Sequence, residues 1–420
     1  MSTQGVLSGM RVVEAAAFVA APLGGMTLAQ MGADVIRIDT IGGGLDYRRW
    51  PVTPDNTSLF WTGLNKSKRS VVLDLASPEG REIAMSLVTA PGEDAGLFLT
   101  NFPPRGWLDY DKLRARRADL IQLTLQGDRH GGSAVDYTVN AQLGVPYMTG
   151  AEPGDGPVNH VLPAWDLITG QMVAVGLLAA ERHRTRTGQG QHIKLALKDV
   201  GLAVMAHLGF IAEAQLGQPR QRHGNDLFGA MGRDFVCADG ERVMVVGLTG
   251  KQWRAIVDAT SLGAQFDALG ARLRLDLGQE GNRFLARSEI AEVLREWIGA
   301  RHFNDVASAF DRQGVCWSRY QRIDELALND AECSPANPMF ERIEQKGVGT
   351  VLAPGIPLDF QGSGRLPPGA APLLGEHTEA VLCELLGIDA FQYGRLHDRG
   401  VVGDATRHGE PRMPLFKGRD

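Results

Sequence analysis

The first half of the chain alternates short apolar runs with helix-like stretches. The apolar runs are rich in Val, Ile and Leu, which is typical of buried strands; they cover residues 10–16, 33–39, 69–75, 95–102 and 119–127. Residues 21–32 and 77–90 between them have helical character, and the second opens with Ser77 and Glu79, a plausible helix start. Strand–helix alternation of this kind predicts a parallel sheet with helices on both faces.

A long apolar helix is predicted after this region. Residues 168–184 (ITGQMVAVGLLAAERHR) have apolar side chains around nearly the whole helical circumference, so we expect the helix to be buried rather than amphipathic. Gly188 and Gly190 supply its stop signal. A further strand and helix follow in residues 192–217.

The second half begins with a polar, glycine-rich stretch at residues 217–234. A hairpin with an Asp239–Gly240 turn is predicted next, and helices follow from Lys251 to about Arg312. We therefore expect an α/β protein with a Rossmann-like large domain. Its first part covers 1–215, a smaller α+β domain with linkers covers 216–335, and the segment 336–420 returns to the large domain.

The composition indicates a large hydrophobic core and disfavours nucleic acid as a binding partner. The 420 residues are 44% hydrophobic, which is enough for two domains, and the net charge of −6 argues against nucleic-acid binding. The sequence has no signal-peptide pattern and no apolar run long enough to span a membrane, so we expect a cytoplasmic protein. Four widely spaced cysteines indicate reduced thiols rather than disulfides or a zinc site: Cys237, Cys316, Cys333 and Cys383.

One acid, Asp166, stands just ahead of the long apolar helix. An Asp at this place is a preferred helix N-cap, and on the local pattern alone capping is the favoured interpretation. The alternative is catalytic: the positive end of the helix would keep the carboxylate ionised, with a pKa near or below about 3.9. An ionised carboxylate can attack an activated carbonyl. The local pattern does not decide between them.

Other candidate chemistry is weaker. No His or Cys spacing is typical of a metal site, and no serine-hydrolase elbow is present in the sequence. Arg37, Lys66, Lys68 and Arg69 fall near predicted strand ends, where open α/β sheets bind ligands. A phosphate-bearing molecule could bind there, although a solvated surface is the commoner role of such residues.

Several segments together resemble the class III CoA-transferases. These segments are 7–39, 65–83, 99–106, 165–191 and 372–387, in the order in which the family has them. The resemblance implies a Rossmann-like large domain, a small domain, an interlocked homodimer and an acyl-CoA substrate. It implies no metal and no cofactor, since coenzyme A is part of the substrate. The family's nucleophile is the Asp of a D-x-x-T-G motif, which here is Asp166.

The resemblance also implies binding residues. CoA would lie along Val19 and Ala20, near Leu73, and against Asn101 and Phe102. Thr40 and Ala76 replace basic residues of some relatives, so Arg37, or Lys68 with Arg69, is expected at the nucleotide phosphates. A glycine lid over the site corresponds to Gly229–Gly232. These binding and lid roles are implied by the resemblance alone.

A narrower resemblance within the family covers residues 17–39, 42–53, 159–172 and 224–235. It implies transfer of CoA between the two carboxyl groups of one C5 unsaturated dicarboxylate, mesaconate, through an aspartyl intermediate. Such a reaction belongs to carbon assimilation through mesaconyl-CoA, as in a 3-hydroxypropionate cycle. Arg48, Arg49 or Arg233 is the candidate for holding the second carboxylate.

Three alternatives stay open at this point. The first is an intermolecular CoA-transferase that uses the same Asp166 chemistry. The second is an α-methylacyl-CoA racemase, which is disfavoured because Val135 stands where such enzymes have the His of an H-D pair. The third is a non-catalytic CoA-binding protein, which the retained D-x-x-T-G motif disfavours.

Overall fold

The computed structural model describes residues 4–151 and 156–403. The strands are β1 Arg11–Ala15, β2 Asp34–Thr40, β3 Arg69–Leu73, β4 Leu97–Thr100, β5 Ile121–Gln126, β6 His192–Ala196, β7 Met231–Val236, β8 Arg242–Gly247, β9 Cys316–Arg319, β10 Phe340–Gln345, β11 Gly349–Pro354 and β12 Val402–Gly403. The helices are α1 Ala20–Gln30, α2 Leu59–Leu64, α3 Pro78–Val88, α4 Tyr110–Arg116, α5 Asp136–Gln142, α6 Val145–Met148, α7 Ala164–Thr187, α8 Leu197–His207, α9 Phe210–Gln215, α10 Gly250–Thr260, α11 Gly263–Leu273, α12 Glu280–Leu285, α13 Arg287–Gly299, α14 Phe303–Gln313, α15 Ile323–Asn329, α16 Thr378–Leu386 and α17 Ala390–Asp398.

A seven-stranded sheet confirms the predicted α/β architecture. Its order is β12-β3-β2-β1-β4-β5-β6, and every neighbouring pair is parallel except the antiparallel edge pair β12–β3. The chain builds outwards in one direction from β1 to β3 and in the other from β4 to β6. The order of strands therefore reverses between β1 and β4, which is where open α/β sheets form a ligand-binding crevice.

Apolar side chains from alternate strand positions form a core on each face of this sheet. Val12, Leu99 and Leu123 lie on the face that α1 and α7 cover, together with Leu28 and Val173. The opposite face packs against α3 and α16 and includes residues from β1, β2, β3 and both helices: Val13, Ile36, Val71, Leu87 and Leu382. Ser77 caps α3 as predicted, since its hydroxyl accepts a hydrogen bond from the Gly80 N–H at 2.9 Å.

Helices α1 and α7 approach so closely that only glycine fits at the contact. A Cβ atom on Gly24 would lie 2.5 Å from Val173 Cγ1, and one on Gly170 would lie 2.9 Å from the Ala20 carbonyl oxygen. Gly170 is the glycine of the D-x-x-T-G motif. This position of the motif therefore requires glycine because α1 and α7 pack closely there. The contact sets the start of α7 against the start of α1.

The long helix α7 differs from its prediction. It runs from Ala164 to Thr187 and ends at Gly188 in the left-handed conformation, as expected. Only one face is buried, however, and Ile168, Met172 and Val175 on the other face are 37–55% exposed in the single chain. Apolar residues thus lie around the helix as predicted, but the prediction of a buried helix is wrong for this chain on its own.

The chain forms two compact units. Of the described residues, the first unit comprises those up to Leu143, Val161–Gly209 and those from Asp330 to Gly403; the second comprises those within Gly144–His160 and Phe210–Asn329. The prediction places residues 144–160 in the first domain, whereas the described residues of this range group with the second unit.

The second unit has its own core. The antiparallel strands β7, β8 and β9 form its sheet, and the Asp239–Gly240 hairpin turn lies where it was predicted. Helices α10, α11, α13 and α14 supply most of the apolar side chains packed against it. Across the residues that the structure describes, helices of the length and apolar character needed to cross a bilayer are absent.

We expect Gly24→Ala to destabilise the protein by about 1–3 kcal/mol, because the added methyl group overpacks the contact between α1 and α7. Gly394→Ala in α17 is the matched control, since a Cβ there meets nothing within 4 Å. It should stabilise by about 0.5–1 kcal/mol, the usual difference between Ala and Gly inside a helix. Denaturant unfolding of both variants measures the effects, and equal stabilities would contradict the tight contact.

Candidate active site

The loop that follows β1 lies at the crevice between β1 and β4. The side-chain amide of Asn101, just after β4, binds the Ala17 backbone twice: it accepts from the Ala17 N–H at 3.0 Å and donates to the Ala17 carbonyl at 2.8 Å. Phe18 then adopts a left-handed conformation with φ of 69°, which is costly for a bulky residue. Such strain is often found at functional sites.

Two predicted CoA-binding residues, Val19 and Ala20, come directly after this strained residue. Val19 is the N-cap position of α1, and its side chain makes no capping hydrogen bond. The first turn of α1 thus offers N–H groups and the positive end of a helix dipole at the crevice. Asn101 thus binds the loop that leads into Val19 and Ala20, and Phe102 next to Asn101 is 39% exposed. Their contact with CoA stays a prediction.

Asp166 lies in the first turn of α7, and its side chain is not the helix cap. Pro163 occupies the N-cap position of α7 without a side-chain hydrogen bond. The carboxylate of Asp136, at the start of α5, performs the capping instead. Its Oδ2 accepts hydrogen bonds from the backbone N–H groups of Trp165 at 2.7 Å and Asp166 at 3.0 Å. The capping interpretation of Asp166 is therefore wrong, and its carboxyl group is left available for chemistry.

The predicted protonation of Asp166 is also corrected. The pKa of Asp166 is raised to about 7, mainly by burial and also by the negative charge of Asp136, while the positive charge of Arg49 acts in the opposite direction. The sequence-based expectation was a pKa near or below the ordinary value, because a helix N-terminus favours an anion. In the structure these N–H groups stabilise the charge of Asp136, because its carboxylate accepts their hydrogen bonds. The charged form of Asp166 is instead destabilised by burial and by repulsion from Asp136.

Arg49 is the cation that acts on Asp166. Its guanidinium group lies over the rings of Phe18, 5.6 Å from the centroid, and Phe60, at 5.1 Å. Among the described residues, its guanidinium has no carboxylate partner within ion-pair distance. Both Arg48 and Arg49 are exposed. An exposed cation stacked on aromatic rings near the carboxyl group of Asp166 is suited to binding an anionic part of a substrate.

Arg37 was predicted to contact CoA, and the structure contradicts this. Its side chain is fully buried, and its N–H groups donate to Asp39, Asp46 and Asn65 at 2.9–3.1 Å. The alternative phosphate-binding residues, Lys68 and Arg69, are also engaged in ion pairs. Lys68 is buried against Glu14 at 2.9 Å, and Arg69 pairs with Asp34 and with Glu384. These basic residues stand near strand ends because they hold the fold together, and none is free for a phosphate group.

Leu73 lies at the end of β3, and its side chain is fully buried in the core beneath α3 and α16. Its carbonyl oxygen accepts a hydrogen bond from the Leu75 N–H at 3.0 Å. Its side chain therefore cannot touch CoA in this structure.

The predicted lid glycines have different surroundings within the second unit. Gly229 adopts a φ of 81° in a turn where an added Cβ would meet open space. Gly232 lies inside strand β7, opposite Val246, and a Cβ on it would lie 2.7 Å from Leu227 Cβ. Gly232 is thus a strand residue required for packing rather than part of a mobile loop. The lid role of Gly229 stays a prediction.

Two buried polar atoms near Asp166 lack a hydrogen-bond partner within the described part of the chain. They are Asp136 Oδ1 and Thr169 Oγ1, the hydroxyl of the D-x-x-T-G motif. Clusters of three or more His, Cys, Asp or Glu side chains able to hold a metal were not found in those same residues. The arrangement is that of a half-buried carboxyl group under the electrostatic influence of one cation, at the crevice of a Rossmann-like sheet. It is suited to nucleophilic attack on an activated acyl group.

The sequence analysis did not identify the role of Asp136, although it considered Val135, the residue before it, in the racemase alternative. The signal was present, because an Asp at the start of a short helix is typical of a capping residue. What the local sequence does not reveal is that the capped helix is a different one, since Asp136 and Asp166 are thirty residues apart.

The chain belongs to CoA-transferase family III, whose profile matches residues 7–378. The chain is 58% identical over 406 residues to 2-methylfumaryl-CoA isomerase of Chloroflexus aurantiacus, covering 96% of this chain and 99% of that protein. It is 30% identical to succinyl-CoA:mesaconate CoA-transferase of Haloarcula marismortui, covering 92% and 97% of the two chains. A crystal structure of a CaiB/BaiF family protein from Brucella suis has a TM-score of 0.74 and 25% identity, covering 91% of this chain and 100% of that one.

A raised pKa for Asp166 has a consequence for stability. Because its pKa is about 7 in the folded chain and near 3.8 when unfolded, the folded state binds more protons between these values. The penalty of the buried charge is absent near pH 4, grows as the pH rises towards 7, and is complete above 7. We expect Asp166→Asn to melt at a higher temperature than the native protein at pH 8 and at the same temperature near pH 4. Thermal unfolding of the CoA-free protein measures this.

The exposed Asp55 supplies the control for this experiment, because Asp55→Asn also removes one carboxyl group from the same unit. It should leave the melting temperature within about 1 °C of native at both pH values, as surface substitutions usually do. A lower melting temperature for Asp166→Asn at pH 8 would contradict the penalty and restore a stabilising role for the carboxylate.

Proposed function

We propose that this chain transfers CoA between the two carboxyl groups of mesaconate, converting the C1 thioester to the C4 thioester. The observation that carries the proposal is the position of the Asp166 carboxyl group at the start of α7, beside the crevice. Asp136 caps this helix end, so the Asp166 carboxyl group does not serve as the cap. The similarity to 2-methylfumaryl-CoA isomerase, 58% over nearly the full length of both chains, supports the choice of substrate.

The reaction begins with the carboxylate of Asp166. It attacks the C1 thioester carbonyl, the C–S bond breaks, and a mixed anhydride and CoA thiolate form. The thiolate then attacks the Asp166 carbonyl carbon, which yields an aspartyl-CoA thioester and free mesaconate. Since a protonated carboxyl group cannot attack, kcat/KM should fall as the pH drops below about 7.

The second half repeats these steps on the other carboxyl group. Mesaconate turns, and its C4 carboxylate attacks the aspartyl thioester, which releases thiolate and forms a second anhydride. The thiolate attacks the C4 carbonyl, the C4 thioester leaves, and Asp166 is again a carboxylate. No proton is gained or lost overall, and the proposal requires no cofactor beyond the CoA of the substrate.

Retention of the free dicarboxylate separates this function from intermolecular transfer. We assign this task to Arg49, because its guanidinium acts electrostatically on Asp166, has no carboxylate partner within ion-pair distance among the described residues, and lies over the rings of Phe18 and Phe60. Arg233 is a poorer candidate, since it pairs with Asp226 at 3.4 Å in the second unit. A bidentate pair with Arg49 would hold one carboxylate of mesaconate while the other reacts.

A homodimer belongs to the same proposal, as the family resemblance implies. The apolar stripe of Ile168, Met172 and Val175 on α7 supports it, because contiguous apolar surface of this kind commonly marks a protein interface. In the second unit, α15 has no buried residue and exposes Ile323 and Leu328, which supports it independently.

The racemase alternative has little support. Val135 is 53% exposed and carries no proton to transfer, and Asp136 is already hydrogen-bonded to the start of α7. The intermolecular transferase alternative shares every step at Asp166. The 30% identity to succinyl-CoA:mesaconate CoA-transferase keeps it as the second candidate.

Trapping with hydroxylamine tests the nucleophile. Incubation with mesaconyl-C1-CoA and hydroxylamine should convert the Asp166 carboxyl group to a hydroxamate, because hydroxylamine intercepts both acyl intermediates. Intact-protein mass and peptide mapping locate the adduct, and the peptide that contains Asp136 serves as the internal control. Turnover with Asp166 unmodified would overturn the covalent mechanism.

Labelled free mesaconate tests retention. During turnover of unlabelled mesaconyl-C1-CoA by the native enzyme, we expect almost no label in the C4 thioester, since the bound acid does not exchange. Arg49→Gln should increase label incorporation because the released acid is held less tightly, whereas Arg48→Gln should not. Rapid incorporation by the native enzyme would favour the intermolecular reaction instead.

A further inference from the structure

We propose that Asp136 is a positioning residue for the nucleophile: it fixes the backbone from which Asp166 projects and sets the charge that the Asp166 carboxylate experiences. The inference rests on the proposed nucleophilic role of Asp166. It concerns a residue that neither the D-x-x-T-G motif nor the predicted binding residues include.

The contact between Asp136 and α7 is buried and direct. The side chain is 2% exposed, and one oxygen accepts both hydrogen bonds, from Trp165 N at 2.7 Å and Asp166 N at 3.0 Å. The second of these N–H groups belongs to the nucleophile itself. A shift of Asp136 would therefore move the peptide unit that carries the Asp166 side chain.

Helix α5 holds the same turn at a second point. Asn140 lies one helical turn after Asp136, and its Oδ1 accepts a hydrogen bond from the indole N–H of Trp165 at 3.1 Å. The start of α5 is itself fixed, since the Thr138 hydroxyl donates to the Val135 carbonyl at 2.8 Å. Two side chains of α5 thus bind one turn of α7, so the turn is held against rotation as well as translation.

The other oxygen of Asp136 gives the carboxylate its electrostatic role. Asp136 Oδ1 is buried and has no hydrogen-bond partner within the described residues. One oxygen of the carboxylate thus lacks a donor in the described residues, and the negative charge of Asp136 acts on Asp166. Arg49, from the loop after β2, is the other charged group that acts on Asp166, and in the described residues α1, α7 and α8 contribute none.

These two effects can be separated by substitution. Asp136→Asn keeps an oxygen that can accept both hydrogen bonds and removes the charge. Asp136→Ala removes the acceptor as well. A residue with only a structural role would alter stability in both variants, but it would not move the pH profile when the acceptor is kept.

The experiment is the pH dependence of kcat/KM for conversion of mesaconyl-C1-CoA by the native enzyme and both variants. In Asp136→Asn, the acidic limb should move to lower pH, because loss of a neighbouring negative charge makes Asp166 easier to ionise. Asp136→Ala should lower kcat by roughly 100-fold, as expected when a reacting group is misplaced by about 1 Å. Asp199→Asn on α8 removes one charge at a half-exposed site and should change neither quantity.

The outcomes separate this inference from the proposed function. An acidic limb at the native pH in Asp136→Asn, with the fold confirmed by circular dichroism, overturns the inference, as does native kcat in Asp136→Ala. If Asp136→Ala does not fold, the asparagine variant decides alone. Asp166→Ala is assayed in parallel: native activity in that variant would overturn the nucleophile itself, whatever the Asp136 variants do.

Discussion

The buried guanidinium of Arg37 is the interaction on which the first unit depends. It lies on β2 with no exposed surface and binds Asp39 and Asp46, while Lys68 nearby binds Glu14 at 2.9 Å. Burial raises the pKa of Glu14 and of Asp39, so each carboxylate depends on its cationic partners to stay ionised. Removing one member of such a cluster strands the others in an apolar interior, at a cost of about 3–5 kcal/mol.

This cluster also places the parts of the site. Asp46 is held by Arg37, and its carbonyl oxygen accepts a hydrogen bond from the Arg49 backbone N–H at 3.2 Å, so the backbone of the cation that acts on Asp166 is anchored to the cluster. Lys68 Nζ donates to the Pro22 carbonyl at 2.9 Å, which ties down the first turn of α1. The position of the crevice thus depends on this buried ion-pair cluster and on the packing of α1 against α7.

The sheet, its flanking helices and the hairpin were predictable because they follow from the spacing of apolar residues and from turn-forming residues, which are both local properties of the sequence. The identity of the nucleophile was predictable from resemblance, whereas its surroundings were not. Arg37 looks like a ligand-binding residue at a strand end, and only the fold shows that Asp46 and Asn65, both from outside its own strand, bind it. Asp166 looks like a cap, and only a contact thirty residues away shows that the cap is Asp136. Both errors arise where a charged residue finds its partner through tertiary structure.

The two errors have the same physical cause, which is whether a buried charge has partners. A charge inside a protein is either satisfied, and then contributes to the fold, or unsatisfied, and then remains reactive. Arg37 is satisfied by Asp39, Asp46 and Asn65, and is inert. Asp166 is desolvated, repelled by a neighbour, and without the helix N–H groups that would have stabilised its charge. The fold gives those N–H groups to Asp136 and thereby withholds them from the residue whose carboxylate must attack. A less stabilised carboxylate is also the more basic one, so the same arrangement that costs stability increases the driving force for attack on a thioester.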